Sequence, residues 1–311
     1  MHNHIITVTF SPAVDKSTSV PLLIPEKKLS CTTPVYEAGG GGINVARVIK
    51  RLGGNAPAIY LAGGYTGKLF TKLLKEEEVD VLPVNTKANT RENIVIKESE
   101  TNKQYRFGMP GMHVRNEEWR NCLKLLAQQQ DIAYIVVSGS LPPGLPADIF
   151  KRIAEISKAK NARLVVDTSG EALAEAVKAG VYLIKPNLKE LANLVNQHIE
   201  TPEQIEEAAK EVISRFKCEV IITSLGAEGA ILVTSSVTLR IKAPSMKVES
   251  TVGAGDSMLA GIVFSLSDSK SLVESAWYGV ACGTAATMNA GTELCHLKDV
   301  QSLYRIISKK E

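Results

Sequence analysis

From Ala56 onward, short runs of β-branched residues alternate with stretches of helical period. Ala58–Leu61, Ile132–Ser138, Arg163–Asp167, Tyr182–Ile184 and Glu219–Thr223 are rich in Val, Ile and Tyr and predict strands. Between them the apolar spacing changes. Ile149, Ile153 and Ile156 recur with Lys and Glu in between, and Ala172–Val177 and Leu188–Val195 behave the same way, which predicts helices. Strands alternating with helices argue for an α/β class, a mainly parallel sheet wrapped in helices. Ile231–Ala243 adds two more strands, and helices from Ala254 and Leu272 close the chain.

Two regions break this rhythm. Pro21–Val35 and Glu92–Phe107 lack helical period, and Asn93–Lys97 with Gln104–Phe107 predict a hairpin around Thr101-Asn102-Lys103. Both predict small sheet insertions outside the main sheet, about residues 20–37 and 91–109. Ligands on open α/β sheets bind beyond the carboxyl ends of the strands, so insertions leaving from those ends predict a lid.

Composition narrows the functional classes. A chain of 311 residues, 44% hydrophobic and 22% charged, buries a large core, and it reads as a single domain carrying that lid. Its 36 basic and 33 acidic groups nearly cancel at +3, and no Lys/Arg block interleaves with aromatics, so no nucleic-acid footprint is present. Basic residues come at most in adjacent pairs, such as the terminal Lys309-Lys310. No charged leader precedes an apolar core, and no run of about 18 apolar residues occurs, which predicts a cytoplasmic protein without a membrane partner. The five cysteines are scattered without a CxxC pair, so neither a disulfide framework nor a zinc site is expected.

The candidate chemistry lies in a few short runs. Thr251-Val252-Gly253-Ala254-Gly255-Asp256 stands directly ahead of an apolar helix start. Two glycines let several amide N–H groups point at one anion, and the helix start adds roughly half a positive charge. Asp256 at that mouth is either an ordinary cap or a base able to take a proton from an attacking hydroxyl. Gly39-Gly40-Gly41-Gly42-Ile43-Asn44 stands just before the helix-like Val45–Ile49 and costs more conformational entropy than a turn requires, so it is either a hinge or a place of close approach where Asn44 and peptide groups bind hydroxyls. Asp15 follows the first strand and is expected at its carboxyl end. Arg91 and Arg106, at and inside the expected hairpin, are either surface arginines or guanidinium forks for a phosphate.

Lys185-Pro186-Asn187-Leu188-Lys189-Glu190 ends a strand and starts a helix. The spacing of Asn187 and Glu190 fits a capping box, or oxygen donors that hold Mg²⁺ through waters with Asp167 beside them. Thr223–Gly229 is a glycine turn suited to a nucleotide or to a plain hairpin. Gly63-Gly64-Tyr65-Thr66-Gly67-Lys68-Leu69 imitates a phosphate loop, but Ala62 and Leu69 stand where that loop needs Gly and Ser/Thr. No GxGxxG occurs.

The glycine run before INVAR, SGSLPPG at Ser138–Gly144, KPNLKE at Lys185–Glu190 and TVGAGDSM at Thr251–Met258 resemble, in this order, the PfkB family of carbohydrate kinases over nearly the whole chain. The resemblance implies a ribokinase-like three-layer α/β/α sandwich with a small β-sheet lid that pairs with its twin in a homodimer. Within the family, YEAGGGGINVAR and QYRFGMPG resemble members that phosphorylate the C1 hydroxyl of fructose 6-phosphate to fructose 1,6-bisphosphate. Tagatose-6-phosphate kinases and 1-phosphofructokinases usually carry lysine at the position of Gly41 and lack an arginine matching Arg106. Those two activities, and a non-catalytic sugar-phosphate sensor, stand as alternatives.

The resemblance assigns roles by motif. Asp256 is the base, and Gly253, Ala254 and Gly255 form the anion hole. Asp15, Gly40, Gly41 and Asn44 hold sugar hydroxyls. Arg91, Arg106 and Ser140 bind the phosphate already on the sugar, and Lys28 reaches across the dimer. ATP with Mg²⁺ is the donor: Asn187, Glu190 and Asp167 attend the magnesium, and Lys185, Asn187, Ser224, Gly226 and Gly229 the nucleotide. A K⁺ site of mainly main-chain oxygens near Ser250, Val252, Ala286, Asn289 and Gly291 is also implied. Glu293 departs from a relative that carries arginine there.

Overall fold

The computed structural model describes residues 4–309, so Lys310 of the basic pair lies outside the described residues. The chain begins with β1 (His4–Thr9), β2 (Ala13–Val20), β3 (Val35–Gly39), α1 (Gly41–Arg51), β4 (Ala58–Gly63), α2 (Gly64–Glu76), β5 (Val81–Thr86), β6 (Arg91–Glu98) and β7 (Gln104–Phe107). It continues with α3 (Asn116–Gln128), β8 (Ile132–Ser138), α4 (Ile149–Ala159), β9 (Arg163–Asp167), α5 (Gly170–Ala179), β10 (Val181–Ile184), α6 (Leu188–Val195), α7 (Pro202–Arg215) and β11 (Cys218–Ser224). A single 3-10 turn at Gly226–Glu228 leads to β12 (Ala230–Val233), β13 (Thr238–Ile241), α8 (Ala254–Ser267), α9 (Leu272–Thr287) and α10 (Leu297–Ile307).

A nine-stranded sheet in the order β13-β12-β11-β10-β9-β8-β1-β4-β5 forms the middle layer. It is parallel from β11 to β5, and only the last hairpin, β12 and β13, runs antiparallel. Strand β8 shows why its run is apolar throughout. Tyr134 and Val136 join the core under α1, α8 and α9, while Ile135 and Val137 join the core under α3, α4 and α7. Alternate side chains of one strand thus enter two different cores, as the period of two requires. The strand order reverses at β1, flanked by β4 and β8, and this is where open α/β sheets hold ligands.

The second sheet has the order β3-β2-β6-β7 and leaves from the carboxyl ends of β1 and β5. Its hairpin, β6 with β7, lies where the sequence predicts it. The other insertion differs. Its strands are Ala13–Val20 and Val35–Gly39, and the intervening stretch is not a strand. Pro21, Pro25 and Pro34 lack the N–H a ladder needs. That stretch is held instead by the buried Glu98, whose Oε1 accepts from the Leu23 amide at 2.9 Å, and by the Thr32 amide, which donates to the Ser19 carbonyl at 3.0 Å.

Four helices go unpredicted: α2, α3, α7 and α10. The glycine run that imitates a phosphate loop is simply the entry into α2. Helix α7 opens with Thr201 and Gln204 in a reciprocal capping box and Pro202 in its first turn, a start signal present in the sequence. Among the described residues no helix is long and apolar enough to cross a membrane.

Candidate active site

Helix α8 starts at Gly253, which adopts the left-handed conformation (φ 70°), and no side chain caps it. The first amide N–H groups of the helix, at Ala254, Gly255 and Asp256, are therefore free of a side-chain acceptor, and the helix dipole adds to their attraction for an anion. The helix is held from behind by α9, so closely that a Cβ on Gly261 would stand 2.5 Å from Cys282 Sγ and one on Gly279 2.4 Å from Ile262. Small residues at the crossing fix the height of the helix start relative to the sheet.

Asp256 is half-buried in the first turn, and Asn44 Nδ2 donates to its Oδ2 at 2.8 Å. Burial, and then the nearby Asp167 carboxylate, push its pKa up to about 6 against the opposing pull of Asn44 and Lys185. The carboxylate faces a cleft of about 200 Å³ lined also by Ser138, Gly139, Ser140, Asp167, Thr168, Ser169 and Glu190. A carboxylate that ionises near neutral pH, beside an open helix start and a cleft, can accept a proton while a neighbouring anion is held.

The glycine run acts through close approach within the protein. Helix α1 already begins at Gly41, so Gly41, Gly42 and Asn44 belong to its first turn rather than preceding it. A Cβ on Gly41 would stand 2.3 Å from Ser138 Oγ and 2.6 Å from the Gly139 amide, and one on Gly42 2.5 Å from Thr9 Oγ1. Gly40 has φ 118°, which only glycine adopts readily. The run is therefore no hinge: it lets α1 sit on the carboxyl ends of β1 and β8, which brings Asn44 to Asp256. A Cβ on Gly39 would reach 2.1 Å from Asp15 Oδ2, so this glycine makes room for the Asp15 carboxylate.

Asp15 is not at the carboxyl end of β1 but inside β2, opposite Glu37 and Asn93, because Pro12 breaks the first strand and the chain moves into the second sheet. Asn93 Nδ2 donates to Asp15 Oδ1 at 2.8 Å. Burial raises the Asp15 pKa, Asn93 opposes it, and Glu37 adds to it. Arg91, at the start of β6, donates from Nη1 to the Met109 carbonyl at 2.8 Å and from Nη2 to the Ser11 carbonyl at 3.2 Å. Its Nε is buried without a partner among the described residues, and burial lowers its pKa against the pull of Asp15.

On the other side of the cleft, Lys185 is buried, and its Nζ lies 3.3 Å from Asp167 Oδ2. The same Nζ would stand 3.3 Å from a Cβ on Gly255, which places the ammonium beside the start of α8. Burial raises the Asp167 pKa, and Lys185 works against it. Asn187 and Glu190 form the capping box of α6: Asn187 Oδ1 accepts from the Glu190 amide and Glu190 Oε2 from the Asn187 amide, both at 2.9 Å. The capping arrangement is thus real, and it leaves Glu190 Oε1 and a lone pair on Asn187 for another ligand. Ser224 bridges to Asn187, and Gly226 (φ 59°) and Gly229 (φ 97°) shape the next turn. These two turns line a second cleft of about 290 Å³.

The pfkB family carbohydrate kinase profile matches residues 5–299. The chain belongs to this family. ATP-dependent 6-phosphofructokinase isozyme 2 of Escherichia coli K12 is 42% identical over 306 residues, covering 98% of this chain and 99% of that protein. The 1-phosphofructokinase of Bacillus subtilis is 33% identical over 294 residues, 93% of this chain and 95% of that one. A crystal structure of the Escherichia coli phosphofructokinase-2 with potassium has a TM-score of 0.95 at 42% identity, covering 98% of this chain and 99% of that one. Another, with fructose-6-phosphate, has a TM-score of 0.93 at 40% identity with the same coverage.

In this pfkB kinase the loop from Ser250 to Val252 meets the loop after α9. The Ser250 hydroxyl donates to the Gly291 carbonyl at 2.7 Å and accepts from the Val252 amide at 3.2 Å, and the Asn289 amide donates to the Ala286 carbonyl at 3.2 Å. Each of these carbonyls keeps a second lone pair, so the donor chemistry suits an alkali cation. Glu293 pairs with His296, its Oε1 2.8 Å from the ring Nε2. For magnesium the donors are oxygen atoms only, as that ion prefers. Among the described residues no three His, Cys, Asp or Glu converge on one point, so waters and phosphate oxygens would complete its shell.

Not every candidate joins the cleft. Arg106 is exposed on the edge strand β7, where its Nη2 donates to Gln104 Oε1 at 3.4 Å, and Lys28 is exposed on the stretch between β2 and β3. Ser140 lines the cleft. Buried hydroxyls on Ser138 and Thr168, both lining this cleft, find no partner among the described residues, and neither is given a role by its motif. Arg47, buried and 3.4 Å from Asn44 Oδ1, is another neighbour of the site that sequence reading does not single out, since a cation on a helix normally faces solvent.

Proposed function

We propose that this chain is an ATP-dependent sugar-phosphate kinase that transfers the γ-phosphoryl group to the C1 hydroxyl of fructose 6-phosphate. The observation that supports this reading most directly is the Asp256 carboxylate, bonded by Asn44 and facing a cleft at the uncapped start of α8. Asp256, ionised above about pH 6, takes the proton of the C1 hydroxyl as that oxygen attacks the γ-phosphorus and the bond to the bridging oxygen of ADP breaks. The amides of Gly253, Ala254 and Gly255 and the Lys185 ammonium neutralise the charge on the group in flight. Magnesium, when bound with the nucleotide, supplies further neutralisation of the phosphates. Asn187, Glu190 and Asp167 would hold it, chiefly through waters, and Ser224, Gly226 and Gly229 would border the nucleotide in the second cleft. Ser250, Val252, Ala286, Asn289 and Gly291 would hold potassium.

At the sugar end, Asp15, Asn44 and the peptide groups of Gly40 and Gly41 bind hydroxyls, and Arg91 and Ser140 bind the 6-phosphate. An incoming phosphate would give the unpartnered Arg91 Nε its acceptor. The second sheet acts as a lid that excludes water, and exposed Val35, Tyr36, Tyr105 and Phe107 on it suit pairing with a second copy, which would bring Arg106 and Lys28 to a shared site. Its soluble substrates fit a cytoplasmic, glycolytic setting.

Arg91→Ala is expected to raise KM for fructose 6-phosphate by at least about tenfold with little change in kcat, because a charge-assisted pair is worth about 1.5–3 kcal/mol. An equal loss of affinity for unphosphorylated fructose would show that Arg91 is no phosphate clamp. The reading as a whole is tested by a coupled assay of ADP formation over fructose 6-phosphate, tagatose 6-phosphate, fructose 1-phosphate and fructose. Preference for tagatose 6-phosphate or fructose 1-phosphate would shift the assignment to the alternatives, and ligand binding without turnover would leave a sensor.

A further inference from the structure

Arg47 is a buried charged group that the proposed reaction leaves unused. Only 2% of it is exposed, yet it carries a charge on the first helix of the site. Its Nε lies 2.8 and 3.0 Å from the two Glu77 carboxylate oxygens at the end of α2, and its Nη2 is 3.3 Å from Glu37 Oε1 on β3. Nη1 donates to the Ala38 carbonyl at 2.7 Å and, at 3.4 Å, to Asn44 Oδ1. Four groups from three elements thus lock the guanidinium plane. A buried arginine held this tightly does not relax when its neighbours move.

The Asn44 amide has two ends that cannot be exchanged. Its Nδ2 donates to Asp256, and its Oδ1 faces Arg47. Turned over, it would set an oxygen against the carboxylate and an N–H against the guanidinium, two repulsive contacts in place of two attractive ones. We infer that Arg47 is a positioning residue: it fixes the Asn44 amide in the orientation that holds the Asp256 carboxylate toward the cleft. Glu37 extends the chain, because the Thr292 hydroxyl, in the loop after α9, donates to its Oε2. The loop after α9 and strand β3 are thereby fastened to the same guanidinium.

This inference rests on the reading of Asp256 as the base, and a double-mutant cycle with an activity-independent arm separates the two. Arg47→Lys keeps the charge but loses the fork, and it should lower kcat by about 10- to 100-fold with KM for ATP within about twofold. Asn44→Ala should lower kcat at least as far. Since Arg47 acts through Asn44, the double variant should equal Asn44→Ala within about twofold. Losses that multiply, or that follow the thermal midpoint of each variant, overturn the inference. The second arm is NMR of the Asn44 side-chain amide. Its protons should exchange with solvent at least about tenfold faster in Arg47→Lys than in the unsubstituted chain, because an amide released from one anchor opens more often. Equal exchange overturns the inference too. A chain that turns over no sugar phosphate would sink the kinase reading and leave this arm to decide the role of Arg47.

Discussion

Asp256→Asn is expected to lower kcat by about 10²- to 10⁴-fold while making the folded chain more stable. Loss of turnover follows from removing the proton acceptor. Gain in stability follows from its environment. In the fold the carboxyl group ionises only at about 6, against the usual 3.8 of an aspartate, because burial and Asp167 disfavour its charge. A carboxylate whose folded pKa is raised binds its proton more tightly in the folded state. Its destabilising effect is therefore complete above about pH 6, and it fades as the pH falls toward 3.8. Asparagine is neutral throughout and can still accept from Asn44. At pH 7.5 the variant should gain about 1–3 kcal/mol, the lower part of this range reflecting the partial exposure of the group, and the gain should vanish near pH 4. Urea denaturation at the two pH values measures the stability and the coupled assay measures kcat. A variant that keeps more than about a tenth of the activity would remove Asp256 from the role of base. The same ionisation predicts that kcat/KM of the unsubstituted chain drops tenfold per pH unit below about 6.

Much of the architecture is legible because strands buried on both faces announce themselves. Arg163–Asp167 and Leu188–Val195 have the predicted boundaries, and the hairpin of β6 and β7 follows from its polar turn. The unpredicted helices had readable signals. In α3 the buried Trp119, Cys122, Leu123 and Leu126 recur at helical spacing, and in α10 so do Val300, Leu303 and Ile307. A different limit applies to the site. Glycines at 39, 41 and 42 report that something is close, but only tertiary structure tells that it is Asp15, Ser138 and Thr9. Asn44 and Asp256 are 212 residues apart, and the helices that carry them meet only through the packing of two cores on one sheet. Arg47 reads as an ordinary solvent-facing helix cation until Glu77 and Glu37 are folded onto it. Local pattern specifies which groups are available, and the sheet's reversal at β1 determines which of them meet.

Lys185→Met should be the most destabilising substitution in the cleft, at about 3–5 kcal/mol at pH 8. Lysine 185 is 5% exposed and lies 3.3 Å from the Asp167 carboxylate, which burial already holds above its usual range. Methionine fills much the same space but leaves that carboxylate without its partner and close to Asp256, whose charge opposes it. The loss should shrink on acidification, because a protonated Asp167 no longer needs a cation, so the urea midpoints of variant and unsubstituted chain should converge as the pH falls through the raised Asp167 pKa. Combining the change with Asp167→Asn removes the stranded charge and should restore the stability to within about 1–2 kcal/mol. Activity should behave differently. In the proposed mechanism the ammonium beside Gly255 donates to the migrating group, so its absence should cost about 10²- to 10³-fold in kcat whether or not Asp167 is present. A double variant that regained stability and kcat together would reduce Lys185 to a counter-ion for Asp167, and one that regained neither would mean the pair is not the source of the cost.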